Sequence, residues 1–496
     1  MNTSLDVLAC DVGAGSGRIL QCNYNGDALT INEISRFTNG TVCVGGCLYW
    51  DILSIYKNIR DGLLKASLQD VRAASLGIDT WGNDFALLDK SGLLIENPYS
   101  YRDQRTEGMI SYVEERIPGY NLYSRNGIQQ VRMNSLYQLV SLARDRAYVF
   151  DHTGHFLFVS DLLAYFLTGE KYCEYTLATI SQLYNYVGNN WDSSLMSLLD
   201  IPSNIFPPII RPGTQRGSTL PSVCRELSID PIPLFAVGAH DTASAVAALP
   251  EPDRKVIYIS SGTWSIVGTE IDAPIINDVS YKYNFSNEGG IESKTRLNKN
   301  VMGLWILQEI QRCFAAQGRC YSFEVMSSLA ENIEPFGSVI DPDAPCFYEP
   351  NDMPGIIKRY CQATGQEVPE TDGEIIRCVL ESLALKYRYV IESLEHVTNC
   401  VYEEIHIMGG GSKSKLLSQL TADCCKRPVF TGPTEATALG NALVQLISLH
   451  ELSDIREARA LVKSSFSLGQ YSPQSGDRWD EYYQHFLSVT GIPVIL

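Results

Sequence analysis

Near the start of the chain, LDVLACD (Leu5 to Asp11) is an apolar run closed by a carboxylate, the pattern of a short buried strand. Gly13, Ala14, Gly15, Ser16 and Gly17 follow, a turn with almost no side chain. RILQCNYNG comes next, rich in strand-compatible residues and ending on an Asn-Gly turn. The unit predicted is strand–turn–strand. A dinucleotide fingerprint needs a helix here to carry a pyrophosphate, and a P-loop needs a Gly-Lys-Ser/Thr that is missing. At this level the turn has two readings, a plain hairpin or a cradle for a phosphate.

KVIYISSGTWSIVG repeats the pattern about half a chain later: an apolar β-branched strand, a small polar turn, another strand. Two such units at the heads of two halves predict an internal duplication. Each half then supplies one turn whose amides and hydroxyls face a common anion. SLGIDTWGNDFALLDKSGLL predicts two strands, broken at Thr80–Asn83 and closed by a turn at Lys90–Gly92. PLFAVGAHDTASAVAAL reads as a strand entering a helix, with His240, Asp241 and Thr242 at the junction. The apolar spacing of NVMGLWILQEIQRCF predicts a helix. EEIHIMGGGSKSKLLSQLTADCC predicts a strand, three glycines and a helix, and TEATALGNALVQLISL a helix with small residues on one face. From about 110 to 230 the pattern is mixed, and IPSNIFPPIIRPG reads as a surface connection.

Length and composition narrow the class. A chain of 496 residues is too long for one ordinary core, so two domains are expected, with a boundary near 248. With 45% hydrophobic and 19% charged residues it is globular; the fold class expected, α/β, comes from the mixture of strands and helices above. A net charge of −18 argues against nucleic-acid binding. It leaves nucleotide binding open, because a few amides and a metal ion act locally. The first strand begins within a few residues, with no basic-then-apolar leader, and no apolar run is long enough to span a bilayer. A cytoplasmic protein without membrane partners is expected. The fourteen cysteines are scattered, with no CxxC and no zinc spacing, and read as mostly buried thiols in a reducing compartment. Cys361 and Cys378 are the one pair worth checking for a bond.

Several positions are placed for chemistry, each with a plainer alternative. Asp241 at a strand-to-helix junction is either an N-cap or a carboxylate that orients a hydroxyl and takes its proton. Phosphoryl transfer asks for little more than such positioning and charge stabilisation. Asp11 either bonds local amides or holds Mg²⁺ through water. Gly409–Gly411 form either a tight strand–helix turn or a surface that a flat ring can approach. Arg102, Asp103 and Arg105 in YRDQRT read as a solvated charge cluster, with polyol binding the sharper alternative.

In order along the chain, DVGAGSGR, GIDTWGNDFALLD, YRDQRTEG, HDTASAV, SSGTWS, NEGG, NVMGLW and GGGSKSKLLSQLTAD resemble the FGGY family of carbohydrate kinases, from about residue 6 to 450. Within that family the likeness is closest to members acting on L-rhamnulose. The resemblance implies two RNase H-like, actin-like domains, 1–248 and 249–496, closing over sugar and nucleotide. The first domain would carry the sugar site and first phosphate turn, the second the nucleotide site. It implies ATP-dependent phosphorylation of the 1-hydroxyl of L-rhamnulose, with Asp241 as the base. L-Fuculose is the alternative sugar, and a non-catalytic sugar or nucleotide sensor is a remote alternative function. Carried over by position, Ala14, Gly15, Ser16, Gly17, Arg18, Thr263, Gln308 and Gly410 would bind ATP. Gly82, His240, Asp241, Thr242 and Asn300 would contact the sugar, and Asp11 would stand near Mg²⁺. The chain departs from the pattern at Gly15, where such kinases commonly carry serine, and at Gln130-Val131-Arg132, where apolar residues are expected.

Overall fold

The computed structural model describes residues 4–251, 255–348, 351–474, 476, 478–493 and 495. The chain divides into two units. The first comprises Met1–Asp253, Glu270–Leu297 and Ala436–Phe466; the second comprises Arg254–Thr269, Asn298–Glu435 and Ser467–Leu496.

In the first unit, β1 (Leu5–Val12) lies at the centre of a mixed sheet. It pairs antiparallel with β2 (Ser16–Tyr24), which pairs antiparallel with β3 (Leu29–Thr38). On its other side β1 pairs parallel with β4 (Ala73–Thr80). Beyond β4 come β5 (Gln215–Ser218) and β6 (Pro233–Phe235), giving the order β3-β2-β1-β4-β6-β5. Val7, Leu8, Ala9, Cys10 and Val12 are all buried, because helices cover both faces of this sheet. One is Ile52–Leu68 against β2 and β3, the other Ala436–Ser448 against β1 and β4.

The Ala436–Ser448 helix is fastened by polar groups where a purely apolar face would be expected. Gln445 Nε2 donates to the Leu8 carbonyl (3.0 Å) and to Asn441 Oδ1 (2.7 Å), while Ser75 Oγ donates to Gln445 Oε1 (2.7 Å). Both amides are fully buried and carry hydrogen bonds that offset their desolvation. The small face of this helix meets the short helix Asp241–Ala247, where a Cβ on Gly440 would overlap the Ser244 carbonyl.

The second unit repeats the plan with β7 (Ile257–Ser261), β8 (Trp264–Ile271), β9 (Thr295–Met302), β10 (Ile405–Met408), β11 (Val429–Thr431) and β12 (Gly469–Tyr471). Their order is β9-β8-β7-β10-β11-β12. The β7–β8 pair is antiparallel, β7–β10 and β10–β11 are parallel, and β11–β12 is antiparallel. These directions match the corresponding pairs of the first unit, so the duplication expected from the two strand–turn–strand motifs is present in the sheets.

Three expectations change in detail. Asn300–Met302 ends a strand, and the helix starts only at Trp305 (Trp305–Ala316). The break falls at Gly303, where a Cβ would lie 2.6 Å from Ser265 Oγ. The two strands expected on either side of Thr80–Asn83 are both present, and the second, Phe85–Asp89, pairs with Thr153–Phe158 in a separate two-stranded sheet. The Pro-rich segment is partly core: Ile201 and Ile205 join the cluster of Phe156, Phe158 and Leu195. Cys361 and Cys378 are buried free thiols. Among the described residues no helix is long and apolar enough to cross a membrane.

Gly440→Ala is expected to destabilise the chain by about 1–3 kcal/mol, because neither backbone can yield a methyl's width without cost. Urea unfolding checks it; an unchanged midpoint would show that the two helices are free to separate.

Candidate active site

The first turn is closed by the Gly13 amide, which donates to the Ser16 carbonyl (2.9 Å). Asn39, just past β3, holds it from behind: its backbone amide donates to the Gly15 carbonyl (3.1 Å) and its Nδ2 to the Gly13 carbonyl (2.9 Å). Asn39 was invisible to motif reasoning, because it contacts the turn only once β3 is in place. The two glycines that flank Ser16 serve different ends. A Cβ on Gly17 would overlap the Phe37 ring, whereas Gly15 is exposed with nothing within 4 Å of a Cβ position. Ala14 and Ser16 are half-buried.

Cross-strand register brings Arg18 opposite Asp11, and its Nε and Nη2 both donate to Asp11 Oδ2 (2.9 and 2.7 Å). On the other side of β1, the register pairs Asp11 with Asp79 of β4. Asp79 is fully buried; its Oδ2 accepts from Asn441 Nδ2 (2.6 Å), while its Oδ1 has no hydrogen-bond partner. Burial, then the Asp11 charge, push its carboxyl well above the usual range, opposed by the Asn441 bond; Asp241 pushes it further. Asp79 is the functional candidate that sequence reasoning missed. Its signal was a carboxylate inside the apolar strand SLGID, level with Asp11.

Asp241 is the first residue of its helix, and His240 occupies the cap position. The carboxylate is therefore no N-cap. It accepts a hydrogen bond from Thr242 Oγ1 (3.1 Å), and its side chain keeps 31% of its accessibility. Burial raises its pKa; His240 opposes that, and Asp11 adds to it. Asp11, Asp79 and Asp241 thus act on one another through their charges. His240 is held by its backbone amide, which donates to Thr176 Oγ1 (3.0 Å), and its Nε2 lies 3.6 Å from Asp241 Oδ1. A Cβ on Gly82 would come 3.3 Å from that Nε2 and overlap Ile180, so glycine leaves the space in front of the imidazole open.

The YRDQRT segment is not a solvated cluster. Asp103 is buried and accepts from the amides of Leu48 (2.7 Å) and Arg105 (2.9 Å). Arg105 stacks 3.9 Å from the centre of the Tyr99 ring and donates to Gln138 Oε1 (2.6 Å). Gln138 Nε2 in turn donates to Asp84 Oδ1 (2.9 Å), and Asp84 Oδ2 accepts from the indoles of Trp50 (2.6 Å) and Trp81 (2.9 Å). Burial, opposed by these bonds, pushes the Asp84 carboxyl up to about 6. Of the departing residues, Arg132 bonds Glu107 (3.1 Å) near the surface.

The second turn sits in its own unit. The Gly262 amide donates to the Trp264 carbonyl (2.8 Å), and the amides of Gly303 and Leu304 donate to the carbonyls of Thr263 (3.2 Å) and Gly262 (2.9 Å). Here too the carbonyls are held from behind. Thr263 Oγ1 lies 3.5 Å from Gln308 Oε1. Gly409 has φ +78° and Gly411 would overlap Ser261 if it carried a Cβ, so both let this loop approach β7. Gly410 between them is exposed, with nothing within 4 Å of a Cβ position. The first unit therefore gathers Asp11, Ala14–Arg18, Gly82 and His240–Thr242. The second gathers Thr263, Gln308 and Gly410, with Asn300 on β9.

Residues 7–248 match the N-terminal domain of the FGGY family of carbohydrate kinases, and residues 257–449 match its C-terminal domain. The chain belongs to the FGGY family of carbohydrate kinases. This FGGY kinase is 42% identical over 478 residues to a rhamnulokinase of Bacteroides thetaiotaomicron, covering 96% of this chain and 98% of the relative. To a rhamnulokinase of Pectobacterium atrosepticum it is 35% identical over 487 residues, covering 98% and 96%. In fold, the FGGY kinase resembles a xylulose kinase from Lactobacillus acidophilus (TM-score 0.78, 16% identity, covering 98% and 96%). It also resembles Plasmodium falciparum glycerol kinase with ADP (TM-score 0.73, 14% identity, the same coverage). The two-unit α/β architecture is thus that of the sugar kinases, a duplicated actin-like fold.

Proposed function

We propose that this kinase transfers the γ-phosphoryl group of ATP to the 1-hydroxyl of L-rhamnulose, giving L-rhamnulose 1-phosphate and ADP. The observation that carries this reading is the near-full-length identity of 35–42% to relatives named rhamnulokinase. In the proposed reaction Asp241 takes the proton of the 1-hydroxyl as its oxygen attacks the γ-phosphorus, and ADP leaves. The partial burial and the raised pKa of Asp241 suit a base that must be ionised yet willing to hold a proton. His240, Thr242 and Gly82 line the sugar side, with Asn300 from β9. Ala14 to Arg18 with Thr263, Gln308 and Gly410 take the nucleotide; the open faces of Gly15 and Gly410 support this, since both leave backbone accessible. The proposed division of labour gives 1–248 most of the sugar site and the first phosphate turn, and 249–496 the rest of the nucleotide site with Asn300.

The donor set suits Mg²⁺, which prefers oxygen and needs only one or two carboxylates. Asp11 would hold it, with the orphaned Asp79 Oδ1 as a further acceptor on the neighbouring strand. Bound there, the ion would offset the charge of the triphosphate.

ADP release with a ketose panel tests the reading. L-Rhamnulose is expected to give the highest kcat/KM, with L-fuculose next; a preference for xylulose or ribulose would overturn it. Asp241→Asn is expected to cut kcat about 10³-fold while calorimetric sugar binding survives. In the native enzyme kcat/KM is expected to climb with pH through an ionisation above the ordinary carboxylate range, because only ionised Asp241 accepts a proton and its pKa is raised. A limb within the ordinary range, or an unimpaired Asn variant, removes Asp241 from the base's role. Gly15→Val is expected to unfold in urea as the native chain does, since the site is open and its φ is not positive. Its KM for ATP should rise while that for sugar does not; equal effects on both would return the turn to a plain hairpin.

A further inference from the structure

We infer that Arg296 is a positioning residue that fixes His240 in the Nε2–H form, making it a hydrogen-bond donor to the sugar beside Asp241 and barring it from acting as a base. The inference rests on the sugar-site reading above for what the Nε2–H meets, but on geometry alone for the proton's place.

Arg296 stands at the start of β9, in the stretch that belongs to the first unit with His240 and Glu288; it is fully buried, and its Nε donates to the Gly289 carbonyl (3.0 Å). Its Nη2 lies 3.2 Å from His240 Nδ1 and 3.1 Å from Glu288 Oε2. A guanidinium has N–H groups only, no lone pair to offer, and does not deprotonate in proteins. In that contact Nδ1 must therefore be the acceptor. A neutral imidazole has one N–H, so the proton resides on Nε2. That nitrogen faces the Asp241 carboxylate and the space left open by Gly82.

The opposite arrangement is close at hand. Glu288, buried on the short strand Ser286–Gly289, places Oε2 3.6 Å from the same Nδ1. Without Arg296 the carboxylate would draw a proton onto Nδ1, and Nε2 would present a lone pair toward Asp241. Two proton acceptors would then crowd one hydroxyl, and neither would have a donor to orient it. Arg296 supplies the donor that decides between the two tautomers and at the same time neutralises Glu288.

The test is a long-range ¹H–¹⁵N correlation spectrum of the full chain labelled at its seven histidines, with His240 assigned from His240→Gln. Without sugar, Nδ1 of His240 is expected in the unprotonated range and Nε2 in the protonated range. A protonated Nδ1 overturns the inference, and it does so whether or not L-rhamnulose proves to be the substrate. In Arg296→Met the tautomer is expected to switch and kcat to fall about 100-fold, with KM for ATP unchanged. A switched tautomer with native kcat, or a native tautomer in a folded Met variant, also overturns it. If the Met variant does not fold, the native spectrum decides alone.

Discussion

Two carboxylates at one level of neighbouring parallel strands repel each other, and much of the first unit is arranged around that fact. Asp11 and Asp79 are register partners, so their side chains leave the same face of the sheet. Each is met by a different device. Asp11 receives a cation, Arg18, from the strand on its far side. Asp79 receives a neutral amide, Asn441, from the covering helix, which leaves its other oxygen without a partner. The helix that brings Asn441 is tied to β1 through Gln445 and abuts the Asp241 helix at Gly440. A third acidic group is thereby delivered to the same electrostatic neighbourhood by backbone contacts.

Duplication gives each unit a hairpin whose carbonyls are occupied from behind, by Asn39 in one case and by the Gly303–Leu304 backbone in the other. The physical result is the same in both: turn carbonyls occupied by hydrogen bonds and small residues at the tip. One arrangement is reached with different supporting residues, so the turns are alike in geometry more than in residue identity.

How far the sequence could be read depended on the range of the interaction. Both turns, the strand before each, and the junction at Asp241 rest on local chemistry, and all were legible. The helix expected from Asn300 begins five residues later, at Trp305, because Gly303 is required by a contact with Ser265 that no local spacing reveals. YRDQRT looked like a charge cluster for the same reason: Arg105 becomes a packed side chain only when Tyr99 and Gln138 arrive from elsewhere. Asp79 escaped notice since its importance lies in what stands beside it on another strand. For Asp241 the local pattern left a cap and a free carboxylate both open, and only the structure shows that His240 takes the cap position.

The backbone contact between Gly440 and Ser244 separates two properties of the enzyme that are often entangled. Asp241 rides on a helix whose backbone at Ser244 is pressed against Gly440 of its neighbour, with only the methyl of Ala247 close beside the contact. The walls facing His240, by contrast, are made by side chains such as Ile180 and by the missing side chain of Gly82. Reshaping those walls touches neither backbone of the joint that carries Asp241. A designer can therefore treat the carboxylate's mounting as a fixed tool and the space before the imidazole as an interchangeable socket.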